Sequence, residues 1–375
     1  MKVVVAIDSL KGSLSSMQAG YAAREGILRA RPGAEVVVRP FADGGEGTTD
    51  ALIEGLGGER ITAQVTGPLG ERISAEYGIL KDGRLAVMEM AAAAGITLVK
   101  DKDPLRATTR GVGEMILDAV GRGVRSFLIG IGGSATNDGG IGMLKALGWQ
   151  FLAENGRDAG EGADALFRIA SIFPPDEERR ALLSRCTFHI AYDVANPLCG
   201  PQGATYVYGP QKGLKEDALP MVDRAMSYYA DRTALLLGMD NRGFPGAGAA
   251  GGLGFAFLSY LNAELSPGVQ LVLDAVHLED DLKGADIMVT GEGRLDGQTV
   301  MGKAPIGAAH LAQKHGLKVV AVAGSVTPEA SACNSEGIDA FFPILRDVCT
   351  LEEAMKPETA YANLTASVEQ IFRIL

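Results

Sequence analysis

The chain has 375 residues, 47% hydrophobic and 22% charged, with a formal net charge of -11 and a pI near 5.0. That length suggests two domains with ample apolar residues for packed cores. The acidic balance excludes a nucleic-acid surface, which needs clustered Lys and Arg, so small-molecule partners are expected. An anionic one would require local cations or a metal, because the global field repels it.

Residues 2–7 are a β-branched run that reads as a buried parallel strand. The run is too short for a signal peptide and meets Asp8 at once. The uncharged window 243–263 is broken by Pro245 and several glycines, which argues against a membrane span. Cys186, Cys199, Cys333 and Cys349 show no CxxC spacing and no flanking His, so no disulfide framework or zinc site is signalled. His310 and His315 sit one step off the spacing of a helical metal pair. A cytoplasmic protein with no membrane partner is expected.

The first strand ends in Asp8-Ser9-Leu10-Lys11-Gly12-Ser13, and a helix over 16–31 follows, closed by Pro32-Gly33. A second strand over 35–41 ends in Asp43-Gly44-Gly45-Glu46-Gly47-Thr48, from which a helix reaches Leu56. This alternation opens a doubly wound sheet. The pattern then changes: 64–70 reads as a turn, and 73–80 and 85–90 flank Lys81-Asp82-Gly83 as a hairpin-like unit. A domain boundary is placed near residue 60.

A helix over 107–122 precedes the strand 127–131, the glycine-rich segment Gly132 to Gly142 and a helix over 143–147. Ser134, Thr136, Asn137 and Asp138 are more polar groups than a plain turn needs. With glycines that let backbone approach a ligand, they read as a binding loop. The alternative is a glycine-rich connection in an α/β fold. Residues 187–192 form another apolar run, ending in Asp193-Val-Ala-Asn196, and 219–237 read as one long helix. The stretch 245–254, which includes Gly251, leads into a buried helix over 255–261; close backbone packing and a phosphate-contacting turn explain it equally well. A strand over 286–289 ends in Thr290-Gly-Glu-Gly-Arg-Leu-Asp-Gly-Gln-Thr299. A helix around His310 and strands over 318–323 and 340–343 complete an α/β pattern like the beginning. One discontinuous domain of both chain ends, 1–60 with 285–375, is therefore expected, with 61–284 inserted as a second α/β domain.

Five apolar runs are each followed by a polar cluster, containing Asp8, Asp43, Asn137 with Asp138, Asp193, and Glu292 with Asp296. One acid after one strand is ordinarily a helix cap or turn residue. Five of them predict an acidic, glycine-lined cleft at the carboxyl ends of strands, suited to a magnesium–nucleotide complex. Lys11, Arg294 and Lys303 lie beside glycine loops and are preferred as phosphate-neutralising cations, ahead of Lys212. In phosphoryl transfer a carboxylate accepts the attacking hydroxyl's proton, and Asp193 is chosen for this ahead of Asp296.

Two motif matches fail. Gly297-Gln-Thr-Val-Met-Gly-Lys303-Ala304 matches a P-loop except for the final Ser or Thr, and no strand is expected directly before it. Gly130-Ile-Gly132-Gly-Ser-Ala135 matches a dinucleotide signature, but the acid expected about 20 residues on is not clear, Glu154 being nearest.

Asp8-Ser-Leu-Lys11, Ala42-Asp-Gly-Gly-Glu-Gly47, Val65-Thr-Gly-Pro-Leu-Gly70, Ile131-Gly-Gly-Ser-Ala-Thr-Asn-Asp-Gly-Gly140, Gly246-Ala-Gly-Ala-Ala-Gly-Gly252 and Thr290-Gly-Glu-Gly-Arg-Leu-Asp296 together resemble the bacterial type 1 glycerate kinases. The blocks fall in the family's order along essentially the whole chain. The family often has Phe at the place of Leu10 and Pro or Ala at that of Ile7, which are apolar exchanges. The resemblance implies two α/β domains, one flavodoxin-like or Rossmann-like with a parallel sheet built from both chain ends, and an active site between them. It implies ATP-dependent phosphorylation of D-glycerate with Mg²⁺, at the 2-hydroxyl ahead of the 3-hydroxyl. An NAD-dependent hydroxy-acid oxidoreductase and a non-catalytic sugar-acid sensor are the competing readings, and a homodimer is left open. On the strand-end argument, Asp193, Asp296 and Lys11 are the expected catalytic groups. Ser9, Asp43, Gly44, Gly45, Ser134, Thr136, Asn137, Asp138, Gly251, Arg294 and Lys303 would bind substrate or nucleotide, and Asp193 and Glu292 would hold the metal.

Overall fold

A computed structural model describes residues 1–301 and 303–375 of the chain. Its strands, in chain order, are β1 (Lys2–Ile7), β2 (Glu35–Val38), β3 (Gly58–Thr66), β4 (Arg72–Leu80), β5 (Leu85–Glu89), β6 (Ser126–Gly130), β7 (Gln150–Leu152), β8 (Ser171–Phe173), β9 (Thr187–Tyr192), β10 (Glu264–Pro267), β11 (Ile287–Leu295), β12 (Lys318–Val326) and β13 (Ala340–Pro343). Two compact units result. The first comprises Met1–Asp43, Asp50–Gly57 and Val269–Leu375; the second comprises Gly44–Thr49 and Gly58–Gly268. Residues 269–284, expected with the inserted part, group with the chain ends.

The first unit holds a five-stranded sheet in the order β13-β12-β11-β1-β2, with every pair parallel. Numbered by chain order within the unit and read from the β2 edge, this is the 2-1-3-4-5 order of flavodoxin-like folds. Its topological switch point lies between β1 and β11, and ligands of such sheets bind outside the carboxyl ends of the strands. Val3 to Ile7 are wholly buried, because a parallel strand covered on both faces must be apolar at every position. The helix Ser16–Ala30 starts at a capping box between Ser15 and Gln18. It packs against the C-terminal helix Pro357–Ile374, which the strand-and-turn pattern does not announce. Gly26 permits that approach, since a Cβ there would come 2.3 Å from the Thr365 carbonyl.

Two strands differ in length from the apolar runs that predict them. β2 stops at Val38, two residues before Pro40, which has no N–H for the ladder. β11 runs past Val289 to Leu295, because β12 pairs with it in parallel as far as Leu295 opposite Val326. The segment 290–295, expected as a loop, is therefore strand.

The second unit contains a six-stranded sheet in the order β10-β9-β6-β5-β4-β3. β5, β6, β9 and β10 run parallel, while β3–β4 and β4–β5 are antiparallel. The hairpin β4–β5 is as expected. β3 takes in Gln64 to Thr66 of the segment 64–70 expected as a turn, which begins only at Gly67, and it buries Ile61, Ala63 and Val65 on one face with exposed polar residues between them. Phe127 of β6 stacks on Phe188 of β9 with ring centres 4.9 Å apart, at the heart of this unit's core. All four cysteines are free thiols. Among the described residues no helix is long and apolar enough to cross a membrane.

Candidate functional site

In the second unit, residues 131–140 leave the carboxyl end of β6, between β5 and β9. The loop is stitched to its surroundings by backbone bonds: Ala135 N–H donates to the Ala94 carbonyl (2.9 Å), Ile96 N–H to that of Gly133 (2.8 Å) and Gly139 N–H to that of Gly251 (2.9 Å). Thr136, Asn137 and Asp138 are wholly buried. The Asp138 Oδ2 accepts from the Thr109 N–H (2.9 Å), the Thr109 hydroxyl (2.8 Å) and the Gly142 N–H (3.2 Å), and its Oδ1 from the Gly140 N–H (3.0 Å). Burial raises the pKa of this carboxyl above the usual carboxylate range, and the four bonds pull it back.

The ends of β6 and β9 open on a cavity of about 220 Å³ lined by Gly132, Gly133, Ser134, Tyr192, Asp193 and Lys212, among others. Lys212 is buried, and its Nζ donates to the Ser134 hydroxyl (2.7 Å) and the Thr136 carbonyl (2.7 Å). An ammonium has three protons to donate, so these two bonds leave capacity for one more acceptor. Burial pushes the Lys212 pKa down to about 7, opposed by the charge of Asp138. Asp193 is exposed.

In the first unit, Asp8 leaves β1 at the switch point, its N–H donating to the Gly291 carbonyl of β11 (2.9 Å). Its carboxylate accepts from the Ser9 N–H (2.6 Å). Burial, and then the charge of Asp43, push its pKa up to about 7 against the pull of the Ser9 N–H and the Lys11 ammonium. Glu292, on β11, is likewise raised by burial, with Asp296 and Asp43 adding to the rise. The Thr299 hydroxyl (2.8 Å) and the charge of Lys303 oppose it. Four acids thus share one electrostatic neighbourhood with two lysines.

The comparisons with known proteins decide the family. The model of the glycerate kinase family matches residues 3–375. The chain belongs to the glycerate kinase family. It is 46% identical over 368 residues to a glycerate kinase of Bacillus subtilis strain 168, covering 98% of this chain and 96% of that one. It is 43% identical over 373 residues to the glycerate 2-kinase of Escherichia coli K12, covering 99% and 97%. A crystal structure of a protein described as a glycerate kinase 2, from Salmonella typhimurium LT2, superposes with a TM-score of 0.90 at 42% identity, covering 99% of this chain and 97% of that one.

Within this family member the expected site residues fall into two groups. Ser9, Lys11, Asp43, Glu292, Arg294, Asp296 and Lys303 belong to the first unit; Gly44, Gly45, Ser134, Thr136, Asn137, Asp138, Asp193 and Gly251 belong to the second. The metal pair of Asp193 and Glu292 is accordingly split between them. Of the polar groups at 134–138, only Ser134 lines the cavity, while Thr136, Asn137 and Asp138 face protein. Gly251 packs on the loop from behind: a Cβ there would lie 2.1 Å from the Thr136 carbonyl, and its φ is +67°. Gly44 is equally confined, with a φ of +87° and room for no Cβ against Gly268. Arg294 is largely exposed, its Nε 3.5 Å from the Asp296 carboxylate.

The dinucleotide match is not followed by a helix until Ile141, so its glycines do not form a strand-to-helix phosphate turn. The P-loop match does follow a strand, because β11 reaches Leu295, but Ala304 still offers no hydroxyl; Gly302 of that match lies outside the described residues. His310 and His315 pair separately with Glu336 and Glu279. Lys212, ranked behind the other cations, is the one that lines the cavity, and Asp8, noted only as one of five strand-end acids, is the buried one at the switch point.

Proposed function

We propose that this chain is an ATP-dependent kinase that phosphorylates D-glycerate at its 2-hydroxyl. The cavity at the ends of β6 and β9 carries the reading, because a buried ammonium and an exposed carboxylate line one small space. A three-carbon hydroxy acid presents a carboxylate for Lys212 and a hydroxyl for Asp193 to deprotonate. An anion entering beside Lys212 offsets the desolvation that lowers its pKa, so binding above neutral pH is accompanied by proton uptake. Ser134 and the Thr136 carbonyl hold the ammonium in place. Family membership supports ATP as donor, and the Escherichia coli relative's name supports the 2-position.

Asp8 and Glu292 supply hard oxygen donors whose burial, with the charge of Asp43 acting on both, raises their pKa values, so a cation beside them would be stabilising. Mg²⁺ fits such a set. Among the described residues no three acids, histidines or cysteines form a complete cage, as is usual for an ion that takes one or two carboxylates, several waters and phosphate oxygens. When bound, Mg²⁺ neutralises charge on the transferring phosphate. Lys11 acts on Asp8 and Lys303 on Glu292 as the nearby positive charges.

The test is incubation with ATP, Mg²⁺ and D-glycerate, read by ADP release and by phosphorus NMR of the product. ADP together with 2-phosphoglycerate is expected, and chelation of Mg²⁺ should stop turnover until the ion is restored. An absence of ADP would end the proposal, while 3-phosphoglycerate would overturn the position alone.

A further inference from the structure

We propose that the first unit carries a subsite for the purine base of a nucleotide, in a pocket at the carboxyl ends of β11, β12 and β13; it rests on the kinase reading for naming a nucleotide at all. The pocket holds about 170 Å³ and is walled by the aliphatic side chains of Leu10, Ile344, Leu351 and Met355, with Lys11 and Ser13 also in its lining.

Four observations favour a base as its occupant. The Ser13 hydroxyl is buried and has no hydrogen-bond partner. Native interiors rarely leave such a group unpaired, and a ring nitrogen or exocyclic amine is a matching partner. Leu351 and Met355, in the aliphatic wall of the pocket, are 75% and 37% exposed, a surface that a flat ring would cover. The loop bearing Ser13 is held against that wall, since a Cβ on Gly12 would come 2.8 Å from the Met355 Cε. Finally, Lys11 both lines the pocket and acts on the Asp8 carboxyl, so the pocket adjoins the carboxylate cluster through one cation. A base seated here leaves its phosphates on the Lys11 side, outside the strand ends where α/β sheets hold their ligands.

The experiment is calorimetric titration of the full-length protein with ADP and, separately, with pyrophosphate. Ala354, which also lines the pocket, is half-buried on the short helix Leu351–Ala354. Ala354→Phe should weaken ADP about tenfold or more by filling the slot. Ser13→Ala should weaken ADP by about two- to tenfold, the worth of one hydrogen bond. Pyrophosphate affinity should stay unchanged in both. Unaltered ADP affinity in the folded variants, equal losses for ADP and pyrophosphate, or no ADP binding by the unmodified protein would each overturn the subsite. Should Ala354→Phe fail to fold, Ser13→Ala decides alone. Turnover with glycerate is scored separately: base-dependent ADP binding without turnover removes the kinase reading and keeps the subsite, and turnover with unaltered ADP affinity does the reverse.

Discussion

Asp8 and Asp138 both follow apolar strands and both are withdrawn from water, yet they meet opposite surroundings. Asp138 receives two hydrogen bonds from Thr109 and one each from the Gly140 and Gly142 N–H groups, so its charge holds a loop in shape. Asp8 receives the Ser9 N–H and otherwise faces the charges of Asp43 and Glu292, relieved by Lys11. Desolvation is the leading cause of the upward shift in each. What differs is whether donors or other acids converge. A buried acid with converging donors has its charge supported by the protein; one with converging acids is pushed toward its neutral form.

Asp193 differs from both in being exposed, in the lining of the Lys212 cavity, and replacing it tests most severely whether that position means chemistry. Asp193→Asn should lower kcat by about 10²–10⁴, the usual worth of a positioned base. Stability should move by no more than about 0.5 kcal/mol, as for surface substitutions generally. Steady-state kinetics with a parallel thermal melt checks both, and near-normal turnover would return Asp193 to the status of a solvated loop acid.

The next largest effect belongs to the structural side. Asp138→Ala strands two Thr109 donors and two backbone N–H groups in the interior, which should cost about 3–5 kcal/mol of stability. Denaturant unfolding followed by circular dichroism measures it. A loss below about 1 kcal/mol, the scale of one ordinary hydrogen bond, would mean that the loop holds its shape without the charge.

The same contrast marks what could be read from the chain alone. The parallel strand at 2–7 and those at 127–131, 187–192 and 318–323 were legible because continuous β-branched or apolar runs leave little else for a buried segment to be. The continuation of β11 was hidden by Gly291 and Gly293, which look like loop residues; Gly291 is glycine because a Cβ there would come 2.0 Å from the Val322 carbonyl. β3 was obscured by Thr62 and Gln64 on its exposed face. The strand-end acids were legible as a set, but Asp138 and Asp193 differ in burial, which no local spacing encodes. Lys212 reaches Thr136 across 76 residues of chain from a turn with no motif of its own.

Asp8 and Lys212 should also respond to pH in opposite directions. The Asp8 pKa is raised in the folded state, from 3.8 to about 7, so its contribution to stability is fully present below about pH 4 and is lost as pH rises through 7. The Lys212 pKa is lowered from 10.5 to about 7, so the unfolded chain binds more protons between these values and stability rises with pH across that window. Each group contributes a slope of at most about 1.4 kcal/mol per pH unit. Asp8→Asn should flatten the decline between pH 4 and 7, and Lys212→Met the rise between pH 7 and 10.5, in denaturation measured at several pH values. Identical pH profiles for both variants and the unmodified protein would dissolve the electrostatic distinction between these two groups.

The smallest effect separates charge from polarity inside one loop. Asn137 adjoins Asp138 and is just as deeply buried, but its amide Nδ2 donates to a single neutral partner, the Thr205 hydroxyl at 3.0 Å, and its Oδ1 finds no partner in the protein. Thr205→Val keeps the volume and removes the acceptor, leaving one neutral donor unpaired. The loss should be about 1–2 kcal/mol, the desolvation penalty of such a group, and well below that for Asp138→Ala. Turnover should be nearly unchanged, because Thr205 does not line the cavity. A loss as large as that of Asp138→Ala would show that the loop depends on hydrogen bonds of any kind, and that the carboxylate's charge is incidental to holding Ser134 and Lys212 where they are.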